Sequence, residues 1–217
     1  ITPRPGEISM AHKGVLFLDE LAEFPRSVLE VLRQPLEERK VHIARNHGSF
    51  VYPAEFMLVA AMNPCPCGNY PDMQKCSCTP RQIEQYLGKI SQPFLDRMDL
   101  CIETPRVQYQ ELEATKKEET SEVIRKRVSI ARDIQKERYK TGKADTNAML
   151  GPREIATYVR LGKEEKELME QAFERLGLTA RTYHKILRVA RTIADLEQST
   201  EVKSIHLKEA IGYRSLD

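Results

Sequence analysis

The octapeptide GVLFLDEL, residues 14–21, limits the fold of this chain more than any other segment. Its four consecutive apolar residues run directly into an acidic pair, Asp19 and Glu20. A short continuous apolar run is typical of a strand buried on both faces of a parallel sheet. Ligands of such sheets lie beyond the carboxyl ends of the strands, where this acidic pair falls. The segment therefore predicts an α/β fold with a polar site at one edge of its sheet.

The acidic pair has the form of a Walker B element, a strand end that serves a bound nucleotide. In this interpretation Asp19 holds Mg²⁺ on the nucleotide, and Glu20 acts on the attacking water. The alternative is an edge strand that enters an acidic turn and has no role in nucleotide chemistry. The octapeptide alone leaves both interpretations open.

Two further strands are predicted in the first half of the chain. The apolar run FMLVAAM, residues 56–62, ends at Asn63 and predicts a second buried strand. A third strand is predicted at Leu100–Glu103. Between the first two strands, Val41–Ala44 and Phe50–Tyr52 flank a polar turn and predict a β-hairpin.

After Pro105 the strand signal disappears and helical spacing takes over. Helices are predicted from Ser121, from Thr179 as an N-cap, and from Ser204. We therefore expect an α/β domain at residues 1–105 and an all-helical domain at residues 106–217, with the boundary near 105–120.

Composition excludes a membrane protein and does not by itself indicate a nucleic-acid partner. The 217 residues are 41% hydrophobic and 30% charged, with a mean hydropathy of −0.51. No apolar run approaches the ~20 residues that a membrane span needs, and no signal peptide is apparent. We expect a cytoplasmic protein without a membrane partner. A net charge of +2 produces no strong overall field.

Four of the five cysteines form two close pairs in a proline-rich loop, Cys65-x-Cys67 and Cys76-x-Cys78. Four thiols in a turn-rich loop of a cytosolic chain favour zinc over disulfides. Such a Cys₄ site would be structural, with no open position for catalysis. The spacing differs from the common Cys-x₂-Cys knuckle, so four reduced thiols are the alternative. We expect Cys101, within the third predicted strand, to serve packing.

Several motifs together resemble one family. They are PGEISMAH, GVLFLDELAEF, AAMNPCPCG, CTPRQIEQY, FLDRMDL and TARTYHKILRVARTIADL. In combination they resemble the magnesium-chelatase-like AAA+ ATPases, specifically the bacterial ComM/YifB group, and the resemblance runs through nearly the whole chain. It implies the second part of an AAA+ core, a P-loop-type parallel sheet, followed by a C-terminal helical lid.

One departure from the family concerns the phosphates of the nucleotide. No Gly-x-x-x-x-Gly-Lys-Ser/Thr motif, which cradles the β- and γ-phosphates, occurs in the 217 residues. The sheet is therefore expected to be incomplete, without the Walker A strand. We also expect that the chain alone does not turn over ATP.

The resemblance assigns roles to two residues at strand and loop ends. Asn63 matches the sensor 1 position, where an amide orients the lytic water or contacts the γ-phosphate; a turn-forming Asn before Pro64 is the alternative. Arg97, in FLDRMDL, matches the arginine finger that acts on the nucleotide of the neighbouring subunit. A surface arginine paired with Asp96 or Asp99 is the alternative.

The resemblance also identifies Arg181 as the sensor 2 arginine. A cation is disfavoured in the first turn of a helix, here the helix capped by Thr179, and a bound phosphate would offset that penalty. A nearby acidic side chain would do the same. His184, on the same helix, is expected to have a surface or packing role rather than to bind a metal.

The predicted hairpin occupies the place of the family's pre-sensor-1 insertion. In ring helicases of similar build such hairpins point into the central pore. Lys40, Arg45 and His47 would then contact the phosphates of a threaded strand, without sequence preference. The alternative is a solvated hairpin tip.

The resemblance implies an ATP- and Mg²⁺-dependent motor that acts on DNA, by branch migration in recombination during natural transformation. A finger that acts in trans requires a homo-oligomeric ring, expected to be a hexamer. The alternatives are a chelatase- or chaperone-type remodeller, or a non-enzymatic interaction module stabilised by zinc.

Overall fold

The computed structural model of the chain describes residues 4–45, 48–105, 119–140, 142 and 144–214. It consists of two compact units, residues 1–98 and residues 99–217. Each unit has its own cluster of buried apolar side chains.

The first unit is mixed α/β. Its elements, in chain order, are α1 (Glu7–Met10), β1 (Val15–Leu18), a 3₁₀ turn (Leu21–Glu23), α2 (Arg26–Glu38), β2 (Lys40–Arg45), β3 (Gly48–Pro53), β4 (Met57–Ala60), α3 (Pro80–Leu87) and α4 (Gln92–Leu95). Strands β1 and β4 pair in parallel, with Val15 opposite Met57 and Leu18 opposite Ala60. Strands β2 and β3 form an antiparallel hairpin. The two apolar strands and the hairpin are therefore confirmed.

The β1–β4 sheet is covered on one face only among the described residues. The inward side chains, including Leu16 and Leu58, pack against a cluster that contains residues of α2, α3 and α4. On the opposite face Val15 and Phe17 are each 58% exposed, and Met57 is 64% exposed. The expectation that β1 is buried on both faces is wrong for this chain, because side chains alternate along a strand and these helices cover a single side.

The predicted third strand, Leu100–Glu103, is also wrong. The segment has no regular secondary structure and forms no ladder with any described strand. Instead, the backbone N–H of Cys101 donates to the carbonyl of Tyr213 at 2.7 Å. An apolar run becomes a strand only when a neighbouring strand accepts and donates its backbone hydrogen bonds, and the described part of the chain supplies none at this position.

The second unit is helical. Its elements are α5 (Ser121–Arg138), a 3₁₀ turn (Asn147–Met149), α6 (Pro152–Tyr158), α7 (Lys163–Arg175), α8 (Ala180–Leu196) and α9 (Ser204–Gly212). The Thr179 hydroxyl accepts from the backbone N–H of Thr182, so the predicted cap of α8 is confirmed. Within the described ranges, no helix combines the length and apolar character needed to cross a bilayer.

A buried polar network crosses the core of the second unit. Asp195 is fully buried and accepts hydrogen bonds from Arg138 Nη1 at 2.8 Å, Arg191 Nε at 3.1 Å and Asn147 Nδ2 at 2.8 Å. Arg191, itself 2% exposed, also donates to the carbonyls of Ser199 and Thr200. Because each buried charge has partners, the network fixes α5 and the Asn147 turn against α8.

Candidate functional site

The polar residues predicted at two strand ends do lie at one edge of the sheet. The register pairs Leu18 with Ala60, so Asp19 follows β1 where residues 61–63 follow β4. The backbone N–H of Ala61 donates to the carbonyl of Leu18 at 2.9 Å. The Ala61 carbonyl in turn accepts from the N–H of Leu21 at 2.9 Å. These two bonds tie the Asp19–Glu20 turn to the segment that leads to Asn63.

Glu20 has a left-handed backbone, with φ 51° and ψ 47°. This conformation costs a residue with a Cβ about 1–2 kcal/mol, and such residues concentrate at functional sites. The N–H of Glu20 donates to Oδ1 of Asp19 at 2.9 Å, and its carbonyl accepts from the N–H of Glu23 at 2.7 Å. The turn therefore holds both carboxylates exposed at the sheet edge.

The arrangement of these carboxylates suits magnesium on a nucleotide better than a magnesium site made by protein alone. Mg²⁺ commonly binds one or two carboxylates and completes its shell with waters and substrate phosphates. Asp19 supplies one exposed carboxylate, and the described residues bring no third acidic group or histidine close enough to form a cage. The residues present fit a magnesium ion that arrives with its phosphates.

The side chain of Arg97 is largely buried within the first unit. Its side chain is 9% exposed and its Nη2 lies 2.7 Å from the Glu37 carboxylate, near the end of α2. A second nitrogen donates to the carbonyl of Pro93. This ion pair joins Arg97 to Glu37 rather than to Asp96 or Asp99, the partners expected in the alternative interpretation. The finger role of Arg97 stays a prediction.

Arg181 and His184 lie at the beginning of α8. Arg181 is exposed, two residues after the Thr179 cap. His184 packs edge-on against Tyr183, with ring centroids 5.6 Å apart, and both line an open cavity of about 450 Å³. The metal-holding group found in the described residues does not include His184. The sensor 2 role of Arg181 stays a prediction.

The hairpin residues are only partly described. Lys40 is exposed at the start of β2, opposite Pro53. Arg45 ends the strand, where its backbone pairs with Gly48. His47 lies outside the described residues, so the predicted nucleic-acid contact stays a prediction.

The four loop cysteines converge on one point. The Sγ atom of Cys65 lies 3.5 Å from that of Cys67 and 3.8 Å from that of Cys76, and the Sγ atoms of Cys67 and Cys76 are 3.6 Å apart. With Cys78 included, all four sulfurs lie within 4.8 Å of one another. A disulfide needs about 2.05 Å. Four thiolates at about 2.3 Å from a tetrahedral zinc ion would be roughly 3.8 Å apart.

Backbone amides near the cluster stabilise negative charge on its sulfur atoms. The N–H of Tyr70 points at the sulfur of Cys65 at 3.4 Å. A backbone hydrogen bond from Asn69 lowers the pKa of the Cys67 thiol to about 5. A backbone hydrogen bond from Cys67 acts to lower the pKa of Cys78, but burial and the neighbouring Cys67 and Cys65 sulfurs raise it to about 12.

These opposite pKa shifts suit a site that binds a cation. The first thiolate forms easily, whereas the last is opposed by the charge already present. A divalent ion bound by thiolates removes that repulsion and keeps all four sulfurs deprotonated. The cysteine geometry and the amide donors therefore fit a structural zinc ion.

Two residues near this site were not singled out from the sequence. Gly68 lies in the first cysteine turn and Tyr86 in α3; both are close to Asn63. Tyr86 is the last residue of the motif CTPRQIEQY. Its helical spacing indicates only that it lies on the apolar face of α3. Nothing in the sequence reveals that its cluster packs against Ala60 and Met62, at the end of β4.

Comparisons with known proteins cover both units. Residues 1–112 match the family model described as "Magnesium chelatase, subunit ChlI", and residues 118–214 match "Magnesium chelatase, subunit ChlI C-terminal". The chain is 47% identical over 215 residues to the "Competence protein ComM" of Haemophilus influenzae, covering 99% of this chain and 41% of that protein. It is 44% identical over 216 residues to the "Uncharacterized protein YifB" of Salmonella typhimurium, covering 99% of this chain and 42% of that protein. The chain thus spans about two fifths of the length of these relatives.

Proposed function

Because the chain belongs to the magnesium chelatase subunit ChlI family, consistent with the ComM/YifB group, we propose that it is part of an ATP-hydrolysing AAA+ motor. The observation that carries this proposal is the juxtaposition at the edge of the β1–β4 sheet. An acidic pair and an asparagine follow two paired parallel strands, at the edge where such sheets bind ligands. Because of the family, we propose that the chemistry at this edge is ATP hydrolysis.

Each residue of the edge has a separate task in the proposed reaction. Asp19 holds Mg²⁺ through water, and Glu20 orients and deprotonates the attacking water. When bound beside Asp19, the metal ion would supply positive charge that offsets the negative charge developing on the phosphate. Asn63 fixes the water or the γ-phosphate with its amide. Arg181, in the second unit, is proposed as the sensor 2 arginine on the family resemblance alone.

A single copy of these 217 residues does not supply two parts of the proposed reaction: the loop that binds the phosphates and the arginine finger that acts on its nucleotide. The sequence contains no phosphate-cradling loop, so we propose that the chain alone does not hydrolyse ATP. Arg97 is proposed to act on the nucleotide of an adjacent subunit, which requires a homo-oligomeric ring; we propose a hexamer. The finger charge is worth about 10³–10⁵ in rate in enzymes that transfer phosphoryl groups.

The proposed substrate of the motor is DNA. One relative is named a competence protein, and we propose that this chain serves the same process through branch migration of recombining DNA. The β2–β3 hairpin supports this proposal locally, since Lys40 and Arg45 lie on one of its strands. Contacts of basic residues to phosphates would be independent of sequence and weakened by salt.

The cysteine cluster is proposed to bind one Zn²⁺ ion with a structural role. Three sulfur–sulfur distances of 3.5–3.8 Å support this assignment. The ion would be held by Cys65, Cys67, Cys76 and Cys78. With four protein ligands it has no open position, so it takes no part in hydrolysis.

The ATPase proposal is tested in a full-length protein that carries both this chain and a phosphate-binding loop. Glu20→Gln should lower kcat for ATP hydrolysis by about 10²–10⁴-fold, the usual contribution of a general base, and leave ATP binding intact. Glu84→Gln, at an exposed carboxylate on α3, is the matched control and should hydrolyse ATP normally. Undiminished turnover in Glu20→Gln would refute the assignment of this edge.

The DNA proposal has its own test. Replacing Lys40, Arg45 and His47 together with alanine should weaken binding to single-stranded DNA and reduce the slope of log affinity against log salt by up to about three phosphate contacts. A charge-matched control replaces the exposed lysines Lys126 and Lys163, on α5 and α7. If the hairpin variant still binds DNA and the control variant does not, the DNA contact lies elsewhere in the protein.

A further inference from the structure

We propose that the cysteine loop is a positioning device for Asn63: with zinc held by its four thiols, the loop fixes the amide that the sheet edge presents to the nucleotide. The role of Asn63 in hydrolysis rests on the proposed function. The positioning itself rests on contacts between the loop, α3 and the end of β4, and these are independent of any activity.

The first contact is made by the turn of the first cysteine pair. Asn63 is separated from Cys65 only by Pro64, and Cys65 is completely buried. The N–H of Gly68 donates to the carbonyl of Cys65 at 2.9 Å and closes the turn. This turn therefore begins next to Asn63 and is anchored at a metal-ligand position.

The turn folds back onto the Asn63 side chain. Gly68 has a left-handed φ of +73°, which favours glycine. A Cβ atom at Gly68 would lie 3.8 Å from both Cγ and Oδ1 of Asn63, so the Asn63 amide lies close to this turn. Movement of the cysteine turn would remove the surface on which the amide rests.

The second contact is made by α3, which begins at the other end of the cysteine loop. Thr79, directly after Cys78, caps this helix: its hydroxyl accepts from the Gln82 N–H, and its own N–H donates to Oε1 of Gln82. Tyr86, on the same helix, is 6% exposed and belongs to the cluster that contains Leu21.

The cluster that contains Tyr86 also packs against Ala60 and Met62, which lead directly into Asn63. Burial raises the pKa of Tyr86, the charges of Glu23, Cys65 and Glu20 raise it further, and a hydrogen bond with the Asn63 backbone opposes these effects. The loop thus leaves the sheet at Asn63 and returns, through a helix, to the same residue.

Metal is needed because the loop has little structure of its own. Residues 64–79 contain no helix or strand. Long irregular segments inside a compact unit are costly in conformational entropy and usually need an additional constraint. Metal binding to thiolates supplies folding free energy in such segments. Release of the ion should therefore free Asn63 while distant parts of the protein remain folded.

The test is hydrogen exchange followed by NMR on the chain itself, with Zn²⁺ bound and after removal of Zn²⁺ with EDTA. Backbone amides of the non-proline residues between 61 and 70 should exchange about tenfold faster or more without zinc, and the Asn63 side-chain signals should shift. Asn147, which is buried in the second unit, is the internal control and should not change. Unchanged protection of residues 61–70 after zinc removal would overturn the proposal.

A conservative substitution tests the α3 contact separately from the cysteine turn. It also avoids a general loss of folding. Tyr86→Phe removes one hydroxyl, keeps the buried ring, and should speed exchange at Asn63 without loss of zinc. In the full-length protein it should lower kcat by about 10²-fold, the effect of a displacement of about 1 Å, with little change in KM for ATP. Cys101→Ser, outside the cluster, is the control for thiol removal and should resemble the unmodified protein.

The possible outcomes distinguish the positioning proposal from the ATPase proposal. If the full-length protein hydrolyses no ATP, the proposed function fails, and the exchange measurements still decide whether zinc positions Asn63. If Tyr86→Phe leaves both exchange and kcat unchanged, the positioning role of Tyr86 is rejected. If zinc removal changes exchange but Cys76→Ser leaves kcat intact, the positioning of Asn63 by the loop is supported, and the role of Asn63 in hydrolysis is rejected.

Discussion

The guanidinium of Arg97 lies 2.7 Å from the carboxylate of Glu37, and this ion pair holds the side chain against α2. The buried Nε of Arg97 has no hydrogen-bond partner among the described residues. An unsatisfied buried donor costs about 1–3 kcal/mol. That cost offsets part of the stability that the ion pair with Glu37 contributes.

The ion pair and the finger role make different predictions for Glu37. Arg97→Ala should lower ATP hydrolysis by the full-length protein about 10³-fold, whereas Glu37→Gln should leave turnover largely unchanged. Rings mixed from Arg97→Ala and Glu20→Gln subunits should regain part of the turnover, because some interfaces then combine an intact Glu20 with an intact Arg97. Equal losses in the Arg97 and Glu37 variants, without recovery in mixed rings, would show that the arginine serves only the ion pair.

Zinc content gives a direct prediction for the cysteine cluster. Protein purified under reducing conditions should contain about one zinc ion per chain, the stoichiometry of a Cys₄ site. Cys65→Ser should lose the ion and lower the thermal midpoint, because Cys65 is fully buried and its loop depends on the metal. Cys101→Ser should keep both values. Metal analysis that finds no zinc in the unmodified, reduced protein would reject the site.

The thiols of the metal-free protein should differ in their dependence on pH. With its pKa lowered to about 5, Cys67 is already a thiolate throughout pH 6–8, so its alkylation by iodoacetamide should be nearly independent of pH in that range. Burial raises the pKa of Cys101, so its alkylation should rise steadily over the same range. Mass spectrometry of the labelled peptides measures both rates. A Cys67 rate that climbs tenfold per pH unit contradicts this prediction.

The buried network of the second unit gives a prediction about stability. Asp195→Asn should reduce the free energy of unfolding by about 3–5 kcal/mol, because it leaves the charge of the buried Arg191 uncompensated. Asp133→Asn, on α5, affects only an exposed pair with Lys136 at 3.5 Å and should cost less than about 1 kcal/mol. Urea unfolding followed by tyrosine fluorescence compares them, and similar costs for the two variants would argue against a strong network.

The sequence predicts β1 and β4 because the signals for these strands are local. An apolar run that ends in Asp19 and another that ends in Asn63 each indicate a strand, and parallel pairing brings their ends to one edge. The paired cysteines likewise indicate a metal site through their type and spacing. These features depend on a few adjacent residues, so the pattern is sufficient to identify them.

The features that the sequence did not predict depend on distant parts of the chain. Leu100–Glu103 has the apolar character of a strand, but whether it pairs depends on a neighbouring strand. Arg191 and Asp195 have the i, i+4 spacing of an ordinary surface pair, and only the packing of α5 against α8 shows that they are buried. The approach of Tyr86 to Asn63 depends in the same way on how α3 returns to the sheet.

The bare face of the β1–β4 sheet will influence how this chain behaves in the test tube. Val15, Phe17 and Met57 form an exposed apolar surface on a sheet whose outer edges pair with no other described strand, a combination that promotes stacking and edge-to-edge association of chains. Light scattering should therefore report particles that grow with protein concentration, even when circular dichroism reports native helix content. Poor monodispersity of the isolated chain would then be a property of its correctly folded state rather than a sign of misfolding.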